Sequence, residues 1–281
     1  MKRERLTITL RDDVLKLVDM AIDGETIRNR SHAIEILLSQ CLTPQKVKVL
    51  ILAGGKPVYF DSEKRVLPKT MVKIGGKPLL EQTLLRLKAA KFTDITISIG
   101  KDGGIISDYF GDGSKWGLNI SYLEQAKDCK GTAHALLGAK SVLKDEDFLL
   151  LYGDVLCNID YNELLEFYRQ QKSSVCIMAL TSSASVNLWG LAKLNGNKII
   201  SFEEKPKNPK TFSRLVNTGV YFMNRDIFNF IGTKSGKLEG DVFPRLAEEG
   251  KLFGYPYEGL WMDISNSAAY QQAIKEMTKM T

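Results

Sequence analysis

From Val47 onward the chain repeats one pattern: a short apolar run, a turn, then a longer stretch with helical spacing. The runs are VKVLILA, DITISIG, DFLLLYGD and SSVCIMAL. They are largely continuous rather than alternating, as expected of strands covered on both faces. Helical spacing between them covers about residues 79–90, 132–143 and 161–171. Strands alternating with helices predict an α/β fold built on a doubly wound, mostly parallel Rossmann-like sheet. Ligands in such sheets gather beyond the carboxyl ends of the strands. Gly54-Gly55, Gly153-Asp154 and Trp261-Met262-Asp263 hold those positions.

A length of 281 residues with 44% hydrophobic content supports one large domain and a small one. No apolar run approaches the roughly 18 residues of a membrane span, and MKRERLTITL carries no signal-peptide core. The expectation is a cytoplasmic protein without membrane contact. Cys41, Cys129, Cys157 and Cys176 are far apart and form no C-x-x-C pair, which argues against a zinc site or a disulfide framework. A net charge of +6 favours polyanionic partners, either nucleic acid or phosphorylated small molecules.

The first 43 residues follow a different pattern. In RLTITL, Leu6, Ile8 and Leu10 share one face while Arg5, Thr7 and Thr9 share the other, the period of a strand. Asp12 and Asp13 then open a helix with a stripe of Leu15, Val18 and Ile22, ending at Gly24. Ser31 suits the N-cap of a second helix striped by Ala33, Ile34, Leu37, Leu38 and Cys41, stopped at Thr43-Pro44. A lone strand cannot satisfy its backbone groups, so its expected partner is the same strand of a second copy in a homodimer. RLTITLRDDVLKLVDMAI followed by IRNRSHAIEILL resembles the ribbon-helix-helix DNA-binding family. The resemblance implies that Arg5, Thr7 and Thr9 reach base edges of double-stranded DNA in the major groove, and that amides near Asn29, Arg30 and Ser31 hold a phosphate. The expected organisation is a ribbon-helix-helix domain over 1–43, a linker over 44–46 and the α/β domain over 47–281. So short a tether restricts domain orientation, which would let ligand occupancy tune DNA affinity.

Within the large domain, YGDV, KGTAHAL, SFEEKP, LVNTGVYFMN and LWMDIS have an order and spacing that resemble the sugar-1-phosphate nucleotidylyltransferases, or sugar-nucleotide pyrophosphorylases. The likeness implies transfer of a nucleotidyl group from a nucleoside triphosphate to a sugar 1-phosphate, giving an NDP-sugar and pyrophosphate. By the same likeness Asp154 and Asp263 would hold Mg2+, Lys69 would contact the phosphates, and Lys205 would grip the sugar phosphate. Ala53, Gly54, Gly55, Lys56, Gln125, Gly131 and Thr132 would form the nucleotide site. Gly190, Glu204 and Asn217 would line the sugar pocket with Lys205, the carboxylate accepting from sugar hydroxyls. His134 is read as structural or exposed.

The loop ILAGGKPVYFDSEKRVLPK departs from that pattern. Pro57, Val58 and Tyr59 stand where the family places Gly-Thr-Arg, which removes a guanidinium expected to neutralise the triphosphate. Two readings follow: Lys56, Lys64 or Arg65 replaces the lost charge in a working enzyme, or the domain is a weak or inactive sensor of nucleotide or NDP-sugar serving transcription regulation. Ile264-Ser265-Asn266, where Ile-Gly-Thr is usual, is a milder departure.

Overall fold

A computed structural model describes residues 4–60, 65–144, 146–208, 213–233, 235–264, 269–271 and 273–275. They fall into two compact units, Met1–Gln45 and Lys46–Thr281.

In the first unit, helix α1 (Asp12–Met20) carries Asp12 and Asp13 in its first turn and buries Val18, while Ile22 lies beyond its end. Helix α2 (Arg30–Leu42) buries Ala33 fully. Its cap is Asn29 and not the expected Ser31: the Asn29 Oδ1 accepts from the His32 amide at 2.9 Å. The helix already begins at Arg30, so Ser31 is its second residue and lies past the cap position that asparagine fills. Arg30 forks onto Asp19 at 2.7 and 2.8 Å, pinning α2 to α1 and holding the aspartate below its ordinary pKa through that hydrogen bond. Residues 4–10 form no helix or strand in the single chain, and Leu6 and Ile8 are exposed. A strand requires a neighbour for its amides and carbonyls, and the single chain presents none to this segment among the described residues.

The second unit runs β1 (Lys48–Ala53), β2 (Val58–Phe60), β3 (Arg65–Leu67), a 3-10 turn at Lys69–Met71, β4 (Lys73–Ile74), β5 (Lys77–Pro78), α3 (Leu79–Ala89), β6 (Asp94–Ile99) and α4 (Gly104–Phe110). It continues through β7 (Asn119–Glu124), α5 (Thr132–Gly138), α6 (Lys140–Leu143), β8 (Phe148–Tyr152), β9 (Val155–Cys157), α7 (Tyr161–Gln170) and β10 (Cys176–Ser182). The last elements are β11 (Gly190–Asn195), β12 (Lys198–Glu204), β13 (Leu215–Met223), α8 (Phe243–Glu248), β14 (Leu252–Pro256) and β15 (Trp261–Asp263). The helical stretch expected over 132–143 breaks at Ala139 into α5 and α6. Residues 269–271 and 273–275 are helical, and the rest of the expected terminal helix lies outside the described residues.

The nine-stranded sheet has the order β10-β14-β12-β11-β13-β8-β1-β6-β7. Its β8-β1-β6-β7 side is parallel, as doubly wound crossovers require. The expected mostly parallel character is interrupted at β13, which pairs antiparallel with β8, β11 and β10, and returns only in the parallel β10-β14 pair. The reason is local: β11 and β12 form a hairpin closed by Gly196-Asn197, with Gly196 at φ +57°, so the chain turns straight back instead of crossing over. Leu50, Leu150, Met178 and Tyr221 on one face, and Ile51, Leu151, Ile97 and Phe222 on the other, form two cores. A third, smaller cluster joins Leu67, Val72, Ile74, Leu156, Met262 and Ile264 beneath the β9-β15 ladder. No helix among the described residues is long and apolar enough to cross a membrane.

Candidate active site

Strand β1 runs buried to Ala53 and releases Gly54-Gly55-Lys56 at its carboxyl end. These residues line a cavity of about 450 Å³ together with Lys69, Gln125, Gly131, Thr132 and Asp154. All the residues expected to hold nucleotide therefore share one cavity. Gly54 is required there by contact and not by backbone strain: a Cβ at this position would lie 2.2 Å from the Gln125 side-chain amide. Gln125 is fixed across the floor by donating its Nε2 to Ser98 Oγ at 3.1 Å. An amide held flat in this way has a remaining acceptor and donor with which to read a base edge. Gly131, at φ +146°, opens α5, and a Cβ on it would strike the Gly236 carbonyl at 2.5 Å.

A second cavity, of about 550 Å³, is lined by Gly190, Glu204, Lys205, Asn217, Trp261 and Asp263 among others. All the expected sugar-pocket residues meet here. The β11-β12 register sets Gly190 opposite Glu204, and a Cβ on Gly190 would crowd the Glu204 carboxylate at 3.0 Å and the Phe202 ring at 2.3 Å. Burial first, and the Glu239 carboxylate second, raise the Glu204 pKa against the opposing pull of Lys205 and Lys237. Lys205 adopts φ +48°, a conformation costly for a side-chain-bearing residue and typical of functional positions. Its amide donates to the Trp189 carbonyl at 3.0 Å, fixing that turn. Asn217 is buried and accepts from the Gly219 amide at 3.1 Å.

The two cavities share Tyr152 and Asp154. Asp154 follows Gly153 at the end of β8, and the antiparallel β9-β15 ladder pairs Val155 with Asp263. The Ile264 amide also donates to the Asp154 carbonyl at 2.8 Å. Residues 109 positions apart in the chain are thereby brought to one junction. Lys69 Nζ lies 3.3 Å from Asp154 Oδ2, and both side chains are partly buried. Hard carboxylate oxygens on two adjacent backbone segments suit Mg2+, which takes one or two carboxylates and completes its shell with water and phosphate oxygens. A cluster of three or more His, Cys, Asp or Glu suited to a metal does not occur among the described residues, and Mg2+ held this way does not need one.

Several lining residues carried no role in the sequence reading. Tyr152 lay inside the YGDV motif and precedes Gly153, so its place at a strand end was readable. Glu239 and Trp189 join from distant segments with no local signal, Trp189 meeting Trp261 of the LWMDIS motif edge-to-face at 4.9 Å. His134 accepts from the Lys130 amide through Nδ1 at 3.4 Å, a bracing contact at the start of α5. The altered loop forms the β2-β3 hairpin, with Tyr59 paired to Val66 and both exposed. Lys56 lines the first cavity, whereas Lys64, the Arg65 side chain, Ser265 and Asn266 lie outside the described residues.

The end of a parallel α/β edge thus carries two adjoining pockets, with Lys69 and Asp154 where they meet and Asp263 lining the second. Compared with known families, residues 48–280 match the family described as Nucleotidyl transferase, and the chain belongs to it. A glucose-1-phosphate thymidylyltransferase of Streptomyces antibioticus is 30% identical over 229 residues, covering 79% of this chain and 64% of that protein. A UTP–glucose-1-phosphate uridylyltransferase of Synechocystis sp. is 28% identical over 243 residues, covering 82% and 63%. The chain thus spans less than two thirds of these curated relatives. Among solved structures, a Bacillus anthracis protein described as a glucose-1-phosphate thymidylyltransferase, in complex with sucrose, superposes with a TM-score of 0.74 at 27% identity, covering 82% of this chain and 94% of that one.

Proposed function

We propose that the second unit transfers a nucleotidyl group from a nucleoside triphosphate to a sugar 1-phosphate, releasing pyrophosphate, and that the first unit binds double-stranded DNA as half of a dimer. The observation carrying the enzymatic reading is the meeting of the two cavities at Asp154, with Lys69 beside it. A sugar phosphate in the second cavity would direct an oxygen at the α-phosphorus of a triphosphate in the first. A new P–O bond forms as the α–β bridge breaks, and pyrophosphate takes the bond's electron pair. Gly54, Gln125 and Gly131-Thr132 would orient the base and ribose, while Glu204, Asn217 and Lys205 orient the sugar phosphate. Lys69 would neutralise charge that builds on the transferring phosphoryl group. Asp154 and Asp263 would hold Mg2+, which when bound supplies further charge neutralisation at that phosphate.

The test is pyrophosphate release across a panel of triphosphates and sugar 1-phosphates with Mg2+. Asp154→Ala and Asp263→Ala should each reduce the rate at least about a hundredfold, the scale of losing transition-state electrostatics. The β2-β3 hairpin favours a second reading, because it presents an exposed Tyr59 where a cation is expected. Nucleotide binding without turnover for any pair would establish that reading, a ligand sensor serving a DNA-binding unit.

For the DNA-binding unit, support comes from the exposed Arg5, Thr7 and Thr9 and from the Asn29-capped helix with Ser31 in its first turn. Arg30 is already committed to Asp19, so its part in phosphate contact falls to its backbone. Arg5→Ala and Thr7→Ala should weaken sequence-specific DNA binding without dissociating the dimer. Unchanged selection of DNA from a random-sequence pool would overturn the assignment.

A further inference from the structure

Glu239 sits in a single π-helical turn, Leu238–Val242, a geometry often found at functional sites, and the reading above gives it no task. Its Oε1 accepts from the Tyr152 hydroxyl at 2.6 Å and its Oε2 from the Thr132 hydroxyl at 2.8 Å. The Thr132 Oγ1 in turn accepts from the Leu238 amide at 2.9 Å, and the Ala133 amide donates to the Gly236 carbonyl at 3.1 Å. Thr132 lines the nucleotide cavity, Glu239 lines the sugar cavity, and Tyr152 lines both. One oxygen of the carboxylate therefore binds a group of the first cavity, and the other binds a group shared by both cavities.

We propose that Glu239 is a positioning residue that couples occupancy of the two cavities, so that a bound nucleotide raises the affinity for sugar 1-phosphate and the reverse. The proposal rests on the nucleotidyl-transfer reading for the identity of the ligands. A carboxylate with both oxygens engaged ties the start of α5 to the end of β8, so a nucleotide that settles Thr132 also settles Tyr152. The Tyr152 ring packs edge-to-face on Tyr221 at 5.4 Å, and Gly219 lies so close that a Cβ there would come within 3.0 Å of it. Coupling of this kind is a free energy shared equally by the two ligands and typically amounts to about 5- to 150-fold in affinity.

The test uses the full chain and α,β-methylene analogues of the common nucleoside triphosphates, which bind without transfer, with glucose 1-phosphate and mannose 1-phosphate as second ligands. Calorimetry reads the nucleotide Kd with and without saturating sugar phosphate. In the wild type at least one pair should show a ratio of about fivefold or more. Glu239→Gln keeps the shape but cannot accept from both hydroxyls, and Tyr152→Phe removes one donor outright; each should bring the ratio close to one. Because the readout is a ratio, a uniform loss of affinity or stability does not imitate the result, and thermal unfolding identifies any variant that does not fold. The Tyr152 variant keeps the test decisive if the Glu239 variant misfolds. A wild-type ratio of one, or an undiminished ratio in folded variants, overturns the coupling while leaving nucleotidyl transfer intact. Absence of binding by every nucleotide analogue overturns the underlying reading as well.

Discussion

Glu204, the carboxylate proposed to bind sugar hydroxyls, is held at a cost to the fold. Burial and the neighbouring Glu239 raise its carboxyl pKa, so the folded state disfavours the charged form. With the folded pKa above the unfolded one, the stability this group contributes is full below the unfolded value and is lost as pH rises through the folded value. Glu204→Gln removes the titration. The ligand-free variant should be more stable than the wild type at pH 7, with the advantage fading toward about pH 4, near the ordinary glutamate value. Denaturation midpoints at the two pH values check this, and a difference independent of pH would contradict it. Sugar-phosphate affinity should fall in the same variant, since a neutral amide is a weaker acceptor for hydroxyls. Gly54 is a residue-scale feature of another kind: its place after a strand was readable, but the Gln125 amide stacked against it was not.

At the scale of elements, the β9-β15 ladder matters most. It is short, and its pairing of Leu156 with Met262 buries both in the third core cluster. The same register sets Asp263 beside the segment carrying Asp154. Leu156→Ala should cost about 2–5 kcal/mol, the usual loss for emptying a fully buried leucine site. It should also raise the Mg2+ concentration needed for half-maximal pyrophosphate release, because the two aspartates would no longer be held in register. A lowered melting temperature with an unchanged Mg2+ requirement would show that the ladder does not position them. The parallel strands were visible as continuous apolar runs, whereas β11, β12 and β13 were not separated in the reading. β11 and β12 signal only through a Gly-Asn turn and mixed exposure, and β13, though buried over nearly its whole length, is interrupted by Asn217, Thr218 and Gly219, so none reads as plainly as VKVLILA.

For the whole molecule, the first unit leaves its apolar strand pattern open, with Leu6 80% and Ile8 46% exposed. Pairing of this segment with that of a second copy would bury both side chains and satisfy the backbone. On the proposed pairing, Leu6→Glu should shift the protein from dimer to monomer in sedimentation at micromolar concentration, and with it abolish the proposed DNA binding. A dimer that survives this change would place the oligomer contact elsewhere.

The amino-acid sequence alone determined the class of fold, the strand ends at which the two cavities open, and about half of the residues that line those cavities. These are local matters: apolar periodicity sets the strands, and glycine at a strand end permits close approach. Only the tertiary structure decided that the sheet turns antiparallel beyond β8, that Asn29 and not Ser31 caps α2, and that Glu239 bridges Thr132 and Tyr152. Such outcomes depend on contacts between residues distant in the chain, whose free energies are set by packing and register and leave little trace in neighbouring residues.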